Sequence, residues 1–157
     1  MLSAESLAKI DREVAKYPAD QKQSAVMAAL RIAQQEKAWL ASETISFVAD
    51  YLGMPRIAAY EVATFYNMYN TSPVGKYKLT VCTNLPCRLT WQYDAADYIQ
   101  KKLGISFGET TEDSKYTLVE GECMGTCGDA PVAMVNNHRL CGNLSPEKID
   151  QLLAELK

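Results

Sequence analysis

Apolar positions in the first 75 residues recur at helical rather than alternating intervals. Leu7, Ile10 and Val14 step along one face behind a Ser3 cap, and Pro18 marks the end of that helix. A second helix is expected from about Asp20 to Lys37, with Val26, Leu30 and Ala33 on one face. A third starts at Ser42, carries Ile45, Val48, Ala49 and Leu52 as its stripe, and stops at Gly53 and Pro55. The fourth covers roughly Pro55 to Tyr69, with Ala58, Val62, Phe65 and Tyr69 in line. Proline suits its first turn, where the missing N–H costs nothing.

Thr71-Ser-Pro-Val-Gly75 is turn-rich, and beyond it the pattern changes. Tyr77 to Val81 alternates as a strand does, Leu89 to Leu103 returns to helical spacing with Ala95, Ala96, Ile99 and Leu103, and Tyr116 to Val119 reads as a second strand. Val132–Val135 and Arg139–Cys141 form a hairpin across Asn136-Asn137, a pair that tolerates positive φ. Ser145-Pro146-Glu147 opens a last helix carrying Ile149, Leu152, Leu153 and Leu156. The division expected is therefore 1–75, an N-terminal helical bundle, and 76–157, an α/β domain of order β–α–β–β–β–α. In that order the first helix can serve as a parallel crossover.

Composition narrows the classes of function. Hydrophobic residues at 48% and charged residues at 22% are ordinary for a globular chain of 157 residues. A net charge of −3 argues against nucleic acid as the main partner. The longest apolar run, Ala25 to Leu30, is far short of the ~20 residues that cross a bilayer. Met1-Leu-Ser-Ala-Glu5 has no basic start and no apolar stretch, so no secretory signal is expected. The five cysteines are an odd number in a chain with no evident route to an oxidising compartment. Metal or redox use is then expected ahead of a disulfide framework.

Four of those cysteines form two close pairs. Cys82-Thr-Asn-Leu-Pro-Cys87 begins where the first strand of the second half ends, and Cys123-Met-Gly-Thr-Cys127 follows the next strand. If the two strands are parallel neighbours, both loops leave the same sheet edge and four thiolates converge. Soft sulfur donors suit zinc or an iron–sulfur cluster. Structural zinc favours tighter C-x2-C knuckles, whereas each longer loop here can chelate one iron of a wider 2Fe–2S group. Spacing alone favours the binuclear cluster, with zinc second and a coincidence of buried thiols third. Gly125 and Gly128 are expected to allow close backbone approach around the second pair. Six acids against one lysine between Phe107 and Asp129 point to a low potential, tempered by Arg88 beside Cys87.

These two cysteine motifs, with Glu122-Cys-Met-Gly-Thr-Cys-Gly-Asp-Ala-Pro131 and Glu61-Val-Ala-Thr-Phe-Tyr66, resemble the thioredoxin-like 2Fe–2S ferredoxin subunit of respiratory complex I, NADH:quinone oxidoreductase. The resemblance covers nearly the whole chain. It implies a thioredoxin-like fold from about Lys76, with Cys82, Cys87, Cys123 and Cys127 as ligands of one 2Fe–2S cluster. It implies electron exchange with FMN of a partner flavoprotein that oxidises NADH, so the chain is part of an enzyme and not a catalyst alone. It further implies a cytoplasmic or matrix-side place, peripheral to the membrane through the larger complex. Related subunits serve NAD-linked hydrogenases and formate dehydrogenases, which form the nearest alternative. From other classes, the alternatives are a zinc-stabilised adaptor module and a thiol–disulfide enzyme, although the C-x-x-C signature of the latter is absent. Trp91 stands where many members have glycine near the second ligand, and its bulk is expected to affect cluster shielding.

The remaining candidates have plainer readings. Cys141 is expected to be a small packed hydrophobe and His138 an exposed turn residue. Phe65, Tyr66 and Tyr69 are expected in the core, with a docking role for some of them as the alternative. Trp39 and Trp91 fall to neither reading.

Overall fold

A computed structural model describes residues 1–90 and 94–156, so Trp91 and part of the helix expected from Leu89 lie outside the described residues. The chain divides into two compact units, Met1–Pro73 and Val74–Lys157. Among the described residues no helix is long and apolar enough to cross a membrane.

The first unit is built from helices α1 (Ala4–Val14), α2 (Val26–Lys37), α3 (Ser42–Leu52) and α4 (Arg56–Phe65). Ser3 caps α1 by accepting the Ser6 N–H at 3.2 Å, as its position predicts. The helix ends at Val14, with Pro18 just beyond. Helix α2 is shorter than expected because Lys22–Ala25 forms a 3₁₀ turn, and no side chain caps its start. Its predicted face is right, for Val26, Leu30 and Ala33 are all buried. In α3 the stripe Ile45, Val48, Ala49 and Leu52 is buried, and Gly53 ends the helix at φ +67°.

Helix α4 departs from expectation. It stops at Phe65, and its buried residues are Ala59 and Ala63, not the predicted stripe. Tertiary hydrogen bonds explain the early end. Gln34 of α2 donates to the Met68 carbonyl at 2.9 Å and accepts the Asn70 N–H at 2.6 Å, while Leu40 N–H donates to the Asn70 carbonyl at 2.7 Å. The backbone after Phe65 is thus held by α2 and the turn before α3 instead of continuing as helix. Tyr69 is buried as expected, with its hydroxyl donating to the Met27 carbonyl at 2.8 Å. Phe65 is 81% exposed, so the core reading fails for it, and Tyr66 is also exposed. Val62 of the expected stripe is only partly buried, packed against the same core as Ala59 and Ala63.

The second unit contains β1 (Tyr77–Cys82), α5 (Leu85–Leu89), α6 (Ala95–Leu103), β2 (Tyr116–Gly121), β3 (Ala133–Val135), β4 (Arg139–Cys141) and α7 (Pro146–Glu155). The strands form one mixed sheet in the order β2-β1-β3-β4. Strands β1 and β2 are parallel from Tyr77↔Tyr116 to Cys82↔Gly121, with the α5–α6 segment as the crossover between them. Strand β3 is antiparallel to β1 and to β4. The hairpin turn falls on Asn136 and Asn137 at φ +51° and +61°, the conformation expected of that pair. Leu79, Val81, Leu118, Ile99 and Ile149 are fully or almost fully buried between sheet and helices.

A charged contact ties α1 to α2. Glu36 accepts the Ser3 N–H at 3.0 Å and the Ser3 hydroxyl at 2.8 Å. The Ser6 hydroxyl, the Ser3 N–H and Lys37 together hold its carboxyl down to about 2. A depressed carboxyl stabilises the fold above the ordinary carboxylate range and loses that contribution as pH falls toward about 2. The Glu36→Gln variant should therefore melt below the wild type at pH 7, and the gap should close on acidification. Thermal melts at a series of pH values check this, and a gap independent of pH contradicts it.

Candidate metal centre

The candidate site grows out of the last pair of β1 and β2, where Cys82 lies opposite Gly121. A Cβ added at Gly121 would come within 2.6 Å of Thr80 Cγ2, so glycine lets the two strands finish side by side. Both chain segments then turn outward at one sheet edge, as the parallel arrangement requires. Two side-chain contacts bind the departing segments together: Thr83 Oγ1 donates to Glu120 at 2.9 Å, and Asn84 Nδ2 donates to Glu122 at 2.8 Å.

The first pair is buried. Cys82 ends the strand with its N–H on the Val132 carbonyl at 3.1 Å. Cys87 sits on the short helix α5 where a plain loop was expected; Asn84 ahead of Leu85-Pro86 carries the helix-start signal. Both cysteines pack against Ala130 and Val132, with Met124 alongside. Burial pushes the Cys87 thiol up to about 11; hydrogen bonding and charge repulsion from Cys82 add to this, and the Val132 backbone partly offsets it.

The second pair is exposed. Gly125 holds φ +73° and donates its N–H to Cys123 Sγ at 3.4 Å, which aims a backbone dipole at that sulfur. Cys123 Sγ and Cys127 Sγ are 3.9 Å apart. Two sulfurs at ~2.3 Å from one tetrahedral metal lie ~3.8 Å apart, so this pair is spaced for one ion. Its hydrogen bond to Cys123, then repulsion from Cys123, raises the Cys127 thiol, and Cys82 contributes to the same effect. Among the described residues no three His, Cys, Asp or Glu side chains gather around a single point. The donors are grouped as two pairs, and metal binding would displace their protons.

The other candidates separate from this edge. Cys141 is half-buried on β4 and His138 is exposed, with Nδ1 2.9 Å from the Asn136 carbonyl. Arg88 is engaged by Asp94 at 2.8 Å, which reduces its expected effect on the sulfurs. The acids expected to depress the potential are mostly exposed, and Glu109 and Asp113 are occupied in turns of their own. At Gly125 the glycine answers to φ; at Gly128 a Cβ would meet nothing within 4 Å, so neither shows the close approach expected of it. Sequence reasoning missed Thr126, whose Oγ1 is buried with no hydrogen-bond partner, and no sequence signal announces that. An orphaned hydroxyl between two thiols in sequence, and two thiol pairs with one spaced for a metal, fit a bound sulfur-ligated group.

A family model described as thioredoxin-like [2Fe-2S] ferredoxin matches residues 10–157. The chain belongs to the thioredoxin-like 2Fe–2S ferredoxin family. Its cofactor is accordingly a 2Fe–2S cluster. This ferredoxin is 46% identical over 143 residues to a subunit of the NADH-quinone oxidoreductase of Rickettsia felis, across 90% of this chain and 85% of that protein. It is 40% identical over 134 residues to NADH dehydrogenase [ubiquinone] flavoprotein 2, mitochondrial, of Dictyostelium discoideum, across 85% of this chain and 54% of that protein. The fold resembles an air-oxidised NAD+-reducing [NiFe]-hydrogenase with a TM-score of 0.68 at 19% identity, over 81% of this chain and 22% of that one. At that identity the hydrogenase likeness concerns the fold alone.

The two glycines of the exposed loop should behave differently. In the cluster-free ferredoxin, Gly125→Ala should lose about 1–2 kcal/mol, because φ +73° is left-handed, whereas Gly128→Ala should be near neutral. Urea titrations of both variants check this; equal losses would contradict the conformational assignment.

Proposed function

We propose that this ferredoxin is the electron-transfer subunit of the NADH-dehydrogenase module of an NADH:quinone oxidoreductase, complex I. Cys82, Cys87, Cys123 and Cys127 hold its one 2Fe–2S cluster, one thiol pair to each iron. The observation that carries the reading is the placement of both pairs at the joined ends of parallel β1 and β2, with Cys123 and Cys127 at 3.9 Å. The bound cluster supplies reversible one-electron storage. The chain's own residues bury one thiol pair beneath Ala130 and Val132 and direct the Gly125 N–H at the other.

FMN and NADH belong to a partner flavoprotein in this reading, which puts the ferredoxin peripheral to the membrane through the complex, on the cytoplasmic or matrix side. Leu85 and Leu89 on α5, 67% and 74% exposed, provide apolar surface beside Cys87 for such a partner. Residues 1–75 are a helical bundle and residues 76–157 the cluster domain, a division supported by the change of pattern at the Thr71–Gly75 segment. The relatives named as oxidoreductase components favour complex I over an NAD-linked hydrogenase, whose likeness is to fold only.

Purified ferredoxin should contain ~2 iron and ~2 acid-labile sulfide per chain, with an EPR signal only after dithionite. Replacing Cys82, Cys87, Cys123 or Cys127 with Ser should lose or perturb that signal, and Cys141→Ser should leave it unchanged. Stoichiometric zinc without sulfide would overturn the cluster assignment. Affinity purification of the tagged chain from its host should recover an FMN protein with NADH-dehydrogenase activity. Isolation as a stable lone monomer under mild conditions would count against the partner.

A further inference from the structure

The Cys123–Cys127 loop contains one polar group that the ligand set leaves unused. Thr126 Oγ1 is buried and has no hydrogen-bond partner, the one such side-chain atom among the described residues. An unpaired buried hydroxyl is unfavourable, and native structures seldom keep one without a use. Its local partner is moreover declined. Thr126 occupies the cap position of the 3₁₀ turn Cys127–Asp129, where a threonine hydroxyl ordinarily accepts a backbone N–H. Here the side chain makes no such bond, and the turn is closed by Asp129 N–H donating to the Thr126 carbonyl at 2.9 Å. The hydroxyl therefore remains an available donor, next in sequence to Cys127 and three residues from Cys123.

We propose that the Thr126 hydroxyl donates a hydrogen bond to a sulfur of the 2Fe–2S group and so raises its reduction potential. This rests on the ligand set proposed above. Reduction adds one electron, taken from the flavin of the partner or from dithionite, and no proton moves. The added charge spreads onto the sulfurs, so a donor to sulfur favours the reduced state more than the oxidised one. Glu120 and Glu122 act in the opposite sense, but both are exposed and screened by water, whereas the hydroxyl is buried. At this position the short-range donor should outweigh the screened acids.

The test compares Thr126→Val, nearly isosteric but without a donor, with Thr126→Ser, which keeps it, in the cluster-loaded full chain. Both should retain wild-type iron and sulfide. The Thr126→Val variant should be harder to reduce by about tenfold in the reduction equilibrium, which for a one-electron couple is about 59 mV. The Thr126→Ser variant should stay near the wild type. Pulsed EPR of the reduced protein in D2O should show an exchangeable deuteron coupling in the wild type that is lost in Thr126→Val and kept in Thr126→Ser. A Thr126→Val or Thr126→Ala variant that holds its cluster at the wild-type potential, with the coupling unchanged, would overturn the proposal and leave the ligand set standing. A Cys127→Ser variant with a normal EPR spectrum would instead overturn the ligand set.

Discussion

The site depends on the parallel pairing of β1 with β2. Leu79↔Leu118 and the burial of Val81 fix that register in the core, where a slip of one residue would turn every side chain to the opposite face. With the register fixed, Cys82 and Gly121 end their strands together, and the chain must leave twice from one edge. Nothing local to either cysteine motif could achieve this. The two thiol-bearing segments leave the same sheet edge because a hydrophobic core, built from residues without chemistry of their own, sets where two strands stop.

The two halves of the site are supported in different ways. Cys82 and Cys87 stand on a strand and a helix and are sealed by Ala130 and Val132, whereas Cys123 and Cys127 ride an exposed loop shaped by Gly125. Burial raises Cys87, and the neighbouring sulfur raises Cys127, so both thiols hold their protons more firmly than an isolated cysteine. Cations are the natural remedy for such crowding, and binding them releases those protons. The Thr83–Glu120 and Asn84–Glu122 contacts then serve the edge as braces between its two segments.

Much of this was legible in the residues. The cysteine spacings, the strands before them and the Asn136-Asn137 turn rest on local pattern, and local pattern is where sequence reasoning is strongest. The failures share one cause. The end of α4 is set by Gln34 and Leu40, distant in sequence, so Phe65 lies on the surface although its spacing suits a core stripe. Thr126 is similar, because whether a loop hydroxyl finds a partner depends on what surrounds it after folding. Helix α5 is the exception: Asn84 and Pro86 announce it, and the short helix hides behind a motif that reads first as a loop.

Thiol protonation bears on the choice between metal chemistry and thiol exchange on a thioredoxin-like sheet. Cys123 and Cys127 stand 3.9 Å apart, as two unbonded thiols do, and this is also close to the edge of a metal–thiolate tetrahedron. Exchange calls for a thiol of lowered pKa that exists largely as thiolate near neutral pH. Here Cys87 and Cys127 are shifted the opposite way, Cys87 by burial and Cys127 by its neighbouring sulfur. A site that suppresses free thiolates and spaces its sulfurs for a shared ion is poor at nucleophilic attack. A metal–sulfur group would have to displace those protons, and the positive charge of its irons would favour their loss.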